Sequence, residues 1–239
     1  MGEKVNIKPK EEFLKKINER IEEVFKKKEN LYNKIKEEIK ISQSSFKNLL
    51  KYSYYKKYFA PLSVFLVCCK KLGIGRMELQ KNVEAYKTRR GWNIITKPIL
   101  PIKITPQFDM ILAHNIGDGT VINPKRGRQI YFGYRQYDDV FRELYVRKIE
   151  SVFGKIEFYK KDYFLKSTRP HCPAVVSQLF FKLYGLNERS FLSRKARIPP
   201  EILRKKKVYL LAVLLAFIID EGNIDSTLIC IRLKNRELT

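Results

Sequence analysis

Two segments of this chain decide the fold: ILAHNIGDGTVI at residues 111–122 and LLAFIIDEGNID at residues 214–225, which align at a lag of 103 residues. Each reads as an apolar helix that ends in an acid followed by glycine. Ala113 and Gly117 lie four positions apart in the first segment, and two alanines, at 212 and 216, repeat this spacing at the second. Residues at this spacing share one helix face. The pattern predicts two helices that pack closely and bring their C-terminal ends together.

The acids at the two helix ends are Asp118 and Glu221. Gly119 and Gly222 follow them and can adopt the positive φ that ends a helix and turns the chain into a strand. We therefore expect Asp118 and Glu221 to lie side by side. Two carboxylates at two negative helix ends repel each other unless a cation lies between them. Because oxygen ligands favour Mg²⁺, we predict that this pair binds Mg²⁺ or another divalent cation.

This pair of motifs resembles the LAGLIDADG homing endonuclease family, in its two-motif, single-chain form. The resemblance runs from about residue 101 to 238 and implies an αββαββα repeat, two of which form a saddle-shaped sheet over DNA. The predicted order after the first motif is two strands within 119–137, a helix within 138–154, paired strands within 155–170 and a helix within 174–186. The predicted fold class is α+β, with a first repeat at 106–205 and an incomplete second repeat at 206–239.

The resemblance also implies a reaction, the metal-dependent hydrolysis of one phosphodiester bond in each strand of double-stranded DNA. Asp118 and Glu221 match the family's metal-binding acids. Lys195 matches a lysine that often precedes the second motif, with Arg194 and Arg197 as competitors. The first motif departs from the family pattern at residues 114–116, where His114 is interpreted as a helix-packing residue. Asp220 is expected to cap or hydrogen-bond the turn, and it is the second choice for the metal-binding acid of its motif.

DNA contacts are expected from the concave face of the sheet. Ile130, Phe132 and Tyr134 form the more apolar set of their strand and are expected to face the helices. The opposite side and the preceding turn then supply contacts to bases and phosphates. The predicted contacts are Lys125, Arg126, Arg128, Gln129, Tyr131, Arg135 and Tyr137, followed by Lys160, Lys161, Lys166 and Arg169 from the second strand pair.

Residues 1–90 are expected to form an all-α domain, with a helix over residues 10–40. The sequence ISQSSFKNLLKY at residues 41–52 resembles a repressor-type helix-turn-helix, and this resemblance implies a second DNA-binding module. An alternative is a small helical bundle whose serines only cap helices. The exposed DNA contacts in this module would be Gln43, Ser44, Ser45, Lys47 and Asn48. A linker is predicted over 91–105, where prolines and glycine disfavour a helix.

Composition supports a polyanionic partner. Lys and Arg (49) exceed Asp and Glu (25), which gives a net charge of +24. The excess is +13 in residues 1–100 and +11 in residues 101–239, so both parts are expected to bind a polyanion. The longest apolar run, residues 208–219, is 12 residues long, short of the roughly 18 needed to cross a bilayer. We expect no membrane partner, a cytoplasmic location and four reduced, buried cysteines.

The second repeat lacks about half of its expected elements, so an uncovered apolar face is expected. Three explanations remain open: the chain is a piece of a longer product, a second chain completes the repeat, or the gene is decaying. The leading function is a site-specific double-strand DNA endonuclease. The alternatives are a DNA-binding regulator or non-cleaving remnant of the family, and an RNA maturase.

Overall fold

A computed structural model of the 239-residue chain describes residues 5–123, 130–159, 170–191, 196–224 and 229–231. The chain divides into two units. The first comprises residues 1–89 and 95–101, and the second comprises residues 90–94 and 102–239. The secondary structure is α+β, as the sequence predicts.

The first unit mixes helices with strands. Its helices are α1 (Glu11–Phe25), α2 (Lys28–Ile39), α3 (Gln43–Leu49), α4 (Leu62–Lys71) and α5 (Arg76–Lys81), with a 3₁₀ helix at Tyr52–Lys56. Its strands are β1 (Val5–Pro9), β2 (Ala60–Pro61), β3 (Val83–Thr88) and β4 (Ile94–Thr96).

The prediction of an all-α first domain is wrong, because four strands pair in the order β2-β1-β3-β4. Strand β1 runs antiparallel to β3, with Ile7 opposite Tyr86, and β3 runs antiparallel to β4, with Tyr86 opposite Ile95. Strand β4 lies inside the predicted linker, so that assignment is wrong for residues 94–96. Pairing between strands nearly 80 residues apart satisfies backbone groups that a local sequence pattern cannot assign.

The single helix predicted over residues 10–40 is two helices. The chain breaks at Lys26, which adopts a positive φ of 61°, and its N–H donates to the carbonyl of Glu22. The side chain of Asn30 then donates to the carbonyl of Phe25 and satisfies one of the free acceptors at the helix end. Both helices still bury one apolar stripe, as the three-to-four residue periodicity predicts.

The second unit contains the two motif helices and short hairpins. Its helices are α6 (Pro106–Gly117), α7 (Asp139–Phe153), α8 (Ala174–Leu183), α9 (Pro200–Leu203) and α10 (Lys207–Glu221), with a 3₁₀ helix at Glu188–Phe191. Its strands are β5 (Gly119–Ile122), β6 (Tyr131–Tyr134), β7 (Lys155–Glu157), β8 (Gly222–Ile224) and β9 (Ile229–Ile231). β5 pairs with β6 and β8 with β9, both antiparallel, and His171 forms an isolated bridge to Gly133 of β6.

Helix α6 is the centre of this unit, and its residues from Phe108 to Ile116 are all buried. It begins with a Thr105 cap, whose hydroxyl accepts from the Phe108 N–H, and with a proline in the first turn. Near this end the buried carboxylate of Asp109 accepts hydrogen bonds from Tyr184 at 2.6 Å and from Lys205 at 2.5 Å. This cluster ties the ends of α8 and α9 to α6.

Helix α10 has one covered and one open side. Val213, Ala216 and Phe217 are buried, whereas four apolar residues are about half exposed. These four are Val208, Leu211, Leu214 and Leu215. No helix among the described residues is long and apolar enough to span a membrane.

Three cysteines, Cys68, Cys69 and Cys172, are buried and free. Burial raises the pKa of each thiol to about 12, so each remains protonated and unreactive near neutral pH. The prediction of reduced, buried thiols is confirmed for these three, and the side chain of Cys230 is outside the description.

Candidate metal centre and nucleic-acid interface

Among the elements that the structure describes, the two motif helices pack against each other most extensively. Ala113 on α6 and Ala216 on α10 are buried, in agreement with the predicted small-residue stripes. At Gly117 the two helices approach closely, because a Cβ added there would lie 3.1 Å from the Asp220 Oδ2 and 3.6 Å from the Phe217 ring. A small residue at 117 therefore lets the end of α10 come close to the end of α6.

The glycines after the two acids have a different role from the one predicted. Neither Gly119 nor Gly222 adopts a positive φ, and Gly222 is extended at φ −87°. Instead, a Cβ on Gly119 would lie 2.1 Å from the carbonyl oxygen of Asn115, and one on Gly222 would lie 2.3 Å from that of Ile218. Each turn from helix into strand thus requires glycine, because the backbone of the preceding helix leaves no space for a Cβ atom.

Asp118 lies directly after α6, beside two other carboxylates. Burial, followed by the negative charges of Asp220 and Glu221, raises its pKa to about 7, while the positive charge of Arg135 opposes this shift. Its Oδ2 accepts a long hydrogen bond of 3.4 Å from the Gln136 amide. Asp118 and Glu221 are therefore within electrostatic range of each other, and the acidic end of each motif helix contributes to one partly buried site.

Asp220 occupies the interior of the helix pair. Its carboxylate is fully buried, accepts a 2.6 Å hydrogen bond from the Tyr134 hydroxyl and lies 2.9 and 3.0 Å from His114 Nδ1. Lys148 Nζ lies 2.7 Å from the other ring nitrogen of His114. Because a carboxylate only accepts and an ammonium only donates, the imidazole is assigned as neutral, with its proton on Nδ1. Burial lowers the pKa of His114 and agrees with this neutral form.

His114 therefore packs between the helices, as predicted, and also bonds to Asp220, which the sequence did not indicate. Asp220 was expected to hydrogen-bond the turn. It bonds instead to side chains of α6 and β6, 106 and 86 residues away along the chain. The signal that could have drawn attention to this pair is a polar residue within each mostly apolar motif, His114 in α6 and Asp220 near the end of α10.

The loop after β6 supports the same site. The Tyr134 ring stacks on the buried Tyr145 ring at 4.4 Å, and the Gln136 amide also hydrogen-bonds the Tyr134 hydroxyl. The buried Arg142 donates to the carbonyls of Gln136 and Tyr137, both at 2.6 Å. These contacts fix the conformation of the loop, and they thereby hold the Gln136 amide beside the Asp118 carboxylate.

The residues present fit a Mg²⁺ ion. The partly exposed Asp118 is surrounded by like charges that a cation would neutralise, and Mg²⁺ is commonly held by one or two carboxylates together with water and substrate phosphates. The described part of the chain has no group of three or more His, Cys, Asp or Glu side chains arranged to hold a metal. Asp118 and Glu221 would accordingly be the ligands that the protein supplies, and water and substrate phosphates would complete the coordination.

Only some of the predicted DNA contacts lie in the described residues. Phe132 and Tyr134 are fully buried, as predicted, whereas Ile130 and the predicted contact Tyr131 are both half-buried. Arg135 and Tyr137 are exposed and lie beyond the end of the strand. The strand is shorter than predicted, since β6 ends at Tyr134. Arg135 contacts Tyr137, with its guanidinium 5.4 Å from the ring centre. Outside the described residues lie Lys125, Arg126, Arg128, Gln129, Lys160, Lys161, Lys166, Arg169, Lys195 and the alternative Arg194.

In the first unit the predicted contacts lie on α3. Ser42 caps this helix, because its hydroxyl accepts from the Ser45 N–H at 3.2 Å, and the Ser44 and Ser45 hydroxyls bond to it. Gln43, Ser44, Ser45 and Asn48 are exposed. Lys47 forms an ion pair with Glu29 at 2.5 Å, so its charge is partly compensated. The serines thus cap the helix and remain accessible.

The chain matches no protein-family model, and no curated protein matches it.

Proposed function

We propose that this protein is a metal-dependent, site-specific double-strand DNA endonuclease of the LAGLIDADG type. The observation that carries the proposal is the convergence of the two motif ends, where Asp118 lies beside the carboxylates of Asp220 and Glu221. The net charge of +24 supports a polyanionic substrate. The proposal rests on the internal repeat and on this geometry.

In this mechanism Asp118 and Glu221 would hold Mg²⁺ at the scissile phosphates. When bound, the metal neutralises charge on the phosphate and lowers the pKa of the attacking water. Gln136 orients the Asp118 carboxylate through its amide. Asp220, His114 and Tyr134 fix the end of α10, so that Glu221 faces the same region as Asp118. Lys195 would stabilise negative charge in the transition state.

DNA binding would use both units. Arg135, Tyr137 and the basic residues within 124–129 would contact DNA in the second unit, and the exposed start of α3 would contact it in the first. We also propose that further protein, from a second chain, covers the open apolar side of α10, because half-exposed leucines at 211, 214 and 215 favour burial. The mass in solution, measured by light scattering, tests this partner.

The test of the enzyme is cleavage of duplex DNA that spans the locus of its own gene with the coding insert removed, in the presence of Mg²⁺. We expect the wild type to cut both strands and the Asp118→Asn variant to bind with similar affinity without cutting. A Glu143→Gln variant, which changes an exposed acid of the same unit, is the control. Tight binding without cutting by the wild type would favour the DNA-binding regulator, and preference for structured RNA would favour the maturase.

A second test concerns the first unit. Deletion of residues 1–89 should weaken duplex binding and reduce its dependence on salt, because phosphate contacts are lost. Unchanged affinity and salt dependence would exclude the first unit as a DNA reader.

A further inference from the structure

A group of tyrosines and lysines follows α3 in the first unit. Four tyrosines lie within residues 52–58, three lysines flank or interrupt them, and no acid occurs between residues 39 and 77, where the chain has eight Lys and Arg. The segment forms the 3₁₀ helix at Tyr52–Lys56 and the turn after it. We refer to Tyr54, Tyr58, Lys51, Lys56 and Lys57 as the tyrosine platform.

The two rings of the platform pack in series on a third ring, Tyr55, which belongs to the core. Tyr55 is buried, donates from its hydroxyl to the Leu49 carbonyl at 2.7 Å and lies 6.5 Å from the Phe65 ring. Tyr54 packs edge-on against Tyr55 at 5.3 Å, and Tyr58 lies 5.0 Å from Tyr54 with the two ring planes at 34°. Each ring is supported by the one beneath it, so the outermost ring is held in a defined position.

The outermost ring is open to solvent. Tyr58 is 56% exposed although a large aromatic side chain gains free energy from burial, and its backbone N–H is fixed by the Tyr54 carbonyl at 3.1 Å. Lys51, Lys56 and Lys57 are exposed, and none of them is paired with a carboxylate among the residues that the structure describes. An accessible aromatic face therefore lies in a segment whose only charges are positive.

This chemistry fits single-stranded nucleic acid. Unpaired bases present π-faces that stack on aromatic side chains, while lysines contact the phosphates between them. Bases in a duplex are stacked on each other and offer no free face in this way. We propose that the tyrosine platform binds unpaired nucleotides, with a base on Tyr58 and phosphates on Lys56 and Lys57. This inference is independent of the proposed endonuclease function, which concerns duplex DNA and the second unit.

The test uses the full-length protein and fluorescein-labelled oligo-dT of about ten nucleotides, a length within the range bound by single-strand-binding folds. Fluorescence anisotropy measures Kd at several salt concentrations, and a hairpin duplex of similar charge is the second probe. Tyr58→Leu keeps an apolar side chain but removes the stacking ring, and it should weaken oligo-dT binding by about fivefold or more while leaving duplex affinity within about twofold.

The charged part is tested by the double variant Lys56→Gln/Lys57→Gln, which should reduce the salt slope for oligo-dT by about 1.4, from two lost phosphate contacts. The matched control is Lys26→Gln/Lys27→Gln, an adjacent exposed pair beside acidic residues in α1 and α2. The proposal is overturned if the wild type does not bind oligo-dT, if Tyr58→Leu binds it like the wild type, or if that variant loses duplex binding equally. The last result would identify a general phosphate-binding surface. Circular dichroism of each variant verifies folding.

Discussion

Asp118 should make the folded protein less stable at alkaline pH, and removal of its charge should reverse this effect. Its pKa is 3.8 in a free side chain and about 7 in the fold. This difference corresponds to at most about 4 kcal/mol, and because the side chain is only partly buried we expect about 2 kcal/mol. The Asp118→Asn variant should therefore be about 2 kcal/mol more stable than the wild type at pH 8.

The sign of the pH dependence follows from linkage. Because folding raises this pKa, the folded state holds the proton more tightly, and stability is lost as the pH rises from about 4 to about 7. Below pH 4 the carboxyl is protonated in both states, and the advantage of the variant should vanish. Mg²⁺ should stabilise the wild type at pH 8 and have little effect on the variant.

The assay is urea unfolding at pH 4 and pH 8, followed by the fluorescence of Trp92. This is the single tryptophan of the chain, it belongs to the second unit, and its ring lies 5.0 Å from that of Tyr159. Glu143→Gln is the control, since it removes an exposed acid. Equal stability of Asp118→Asn and the wild type at pH 8 would refute the argument that the three carboxylates share one partly buried site.

Three further substitutions test the packing around the site by the same urea assay at pH 7. Gly117→Ala should destabilise by about 1 kcal/mol, although alanine favours a helix, because its Cβ would lie 3.1 Å from the Asp220 carboxylate. Tyr134→Phe should cost about 1–3 kcal/mol, because a fully buried carboxylate loses a donor. Lys205→Met should cost about 3 kcal/mol, because Asp109 is left buried without its cation.

The tyrosine and lysine substitutions each have a matched control of the same type. Tyr137→Phe removes an exposed hydroxyl, and Lys207→Met removes an exposed ammonium. The controls should each change stability by less than about 0.5 kcal/mol. A control that costs as much as its partner would show that the effect does not come from the contacts described.

The motif helices could be predicted because the information is local. An apolar run, small residues at four-residue spacing and a glycine after an acid define α6 and α10 and place Asp118 and Glu221 at their ends. The phase of β6 was also predictable, since Phe132 and Tyr134 alternate with more polar neighbours. These patterns follow from helix and strand geometry alone.

The elements that sequence reasoning missed depend on distant partners. Strands β1 and β3 are short and are stabilised by pairing across about 80 residues, so neither shows a distinctive local pattern. The break after Phe25 lacks glycine and proline, the usual signals of a helix end. The bond from His114 to Asp220 joins residues 106 positions apart. Such contacts arise only when the helices have packed.

The pairing of Gly117 with Asp220 has a consequence for how the two repeats can change. Two glycines at these facing positions would leave a cavity, and two aspartates would bury two negative charges that repel each other in a space too small for both side chains. The two motif helices are thus complementary at these positions, and neither helix could be replaced by a copy of the other. A substitution at one of these positions is tolerated only with a compensating substitution at the other, so the two must vary together.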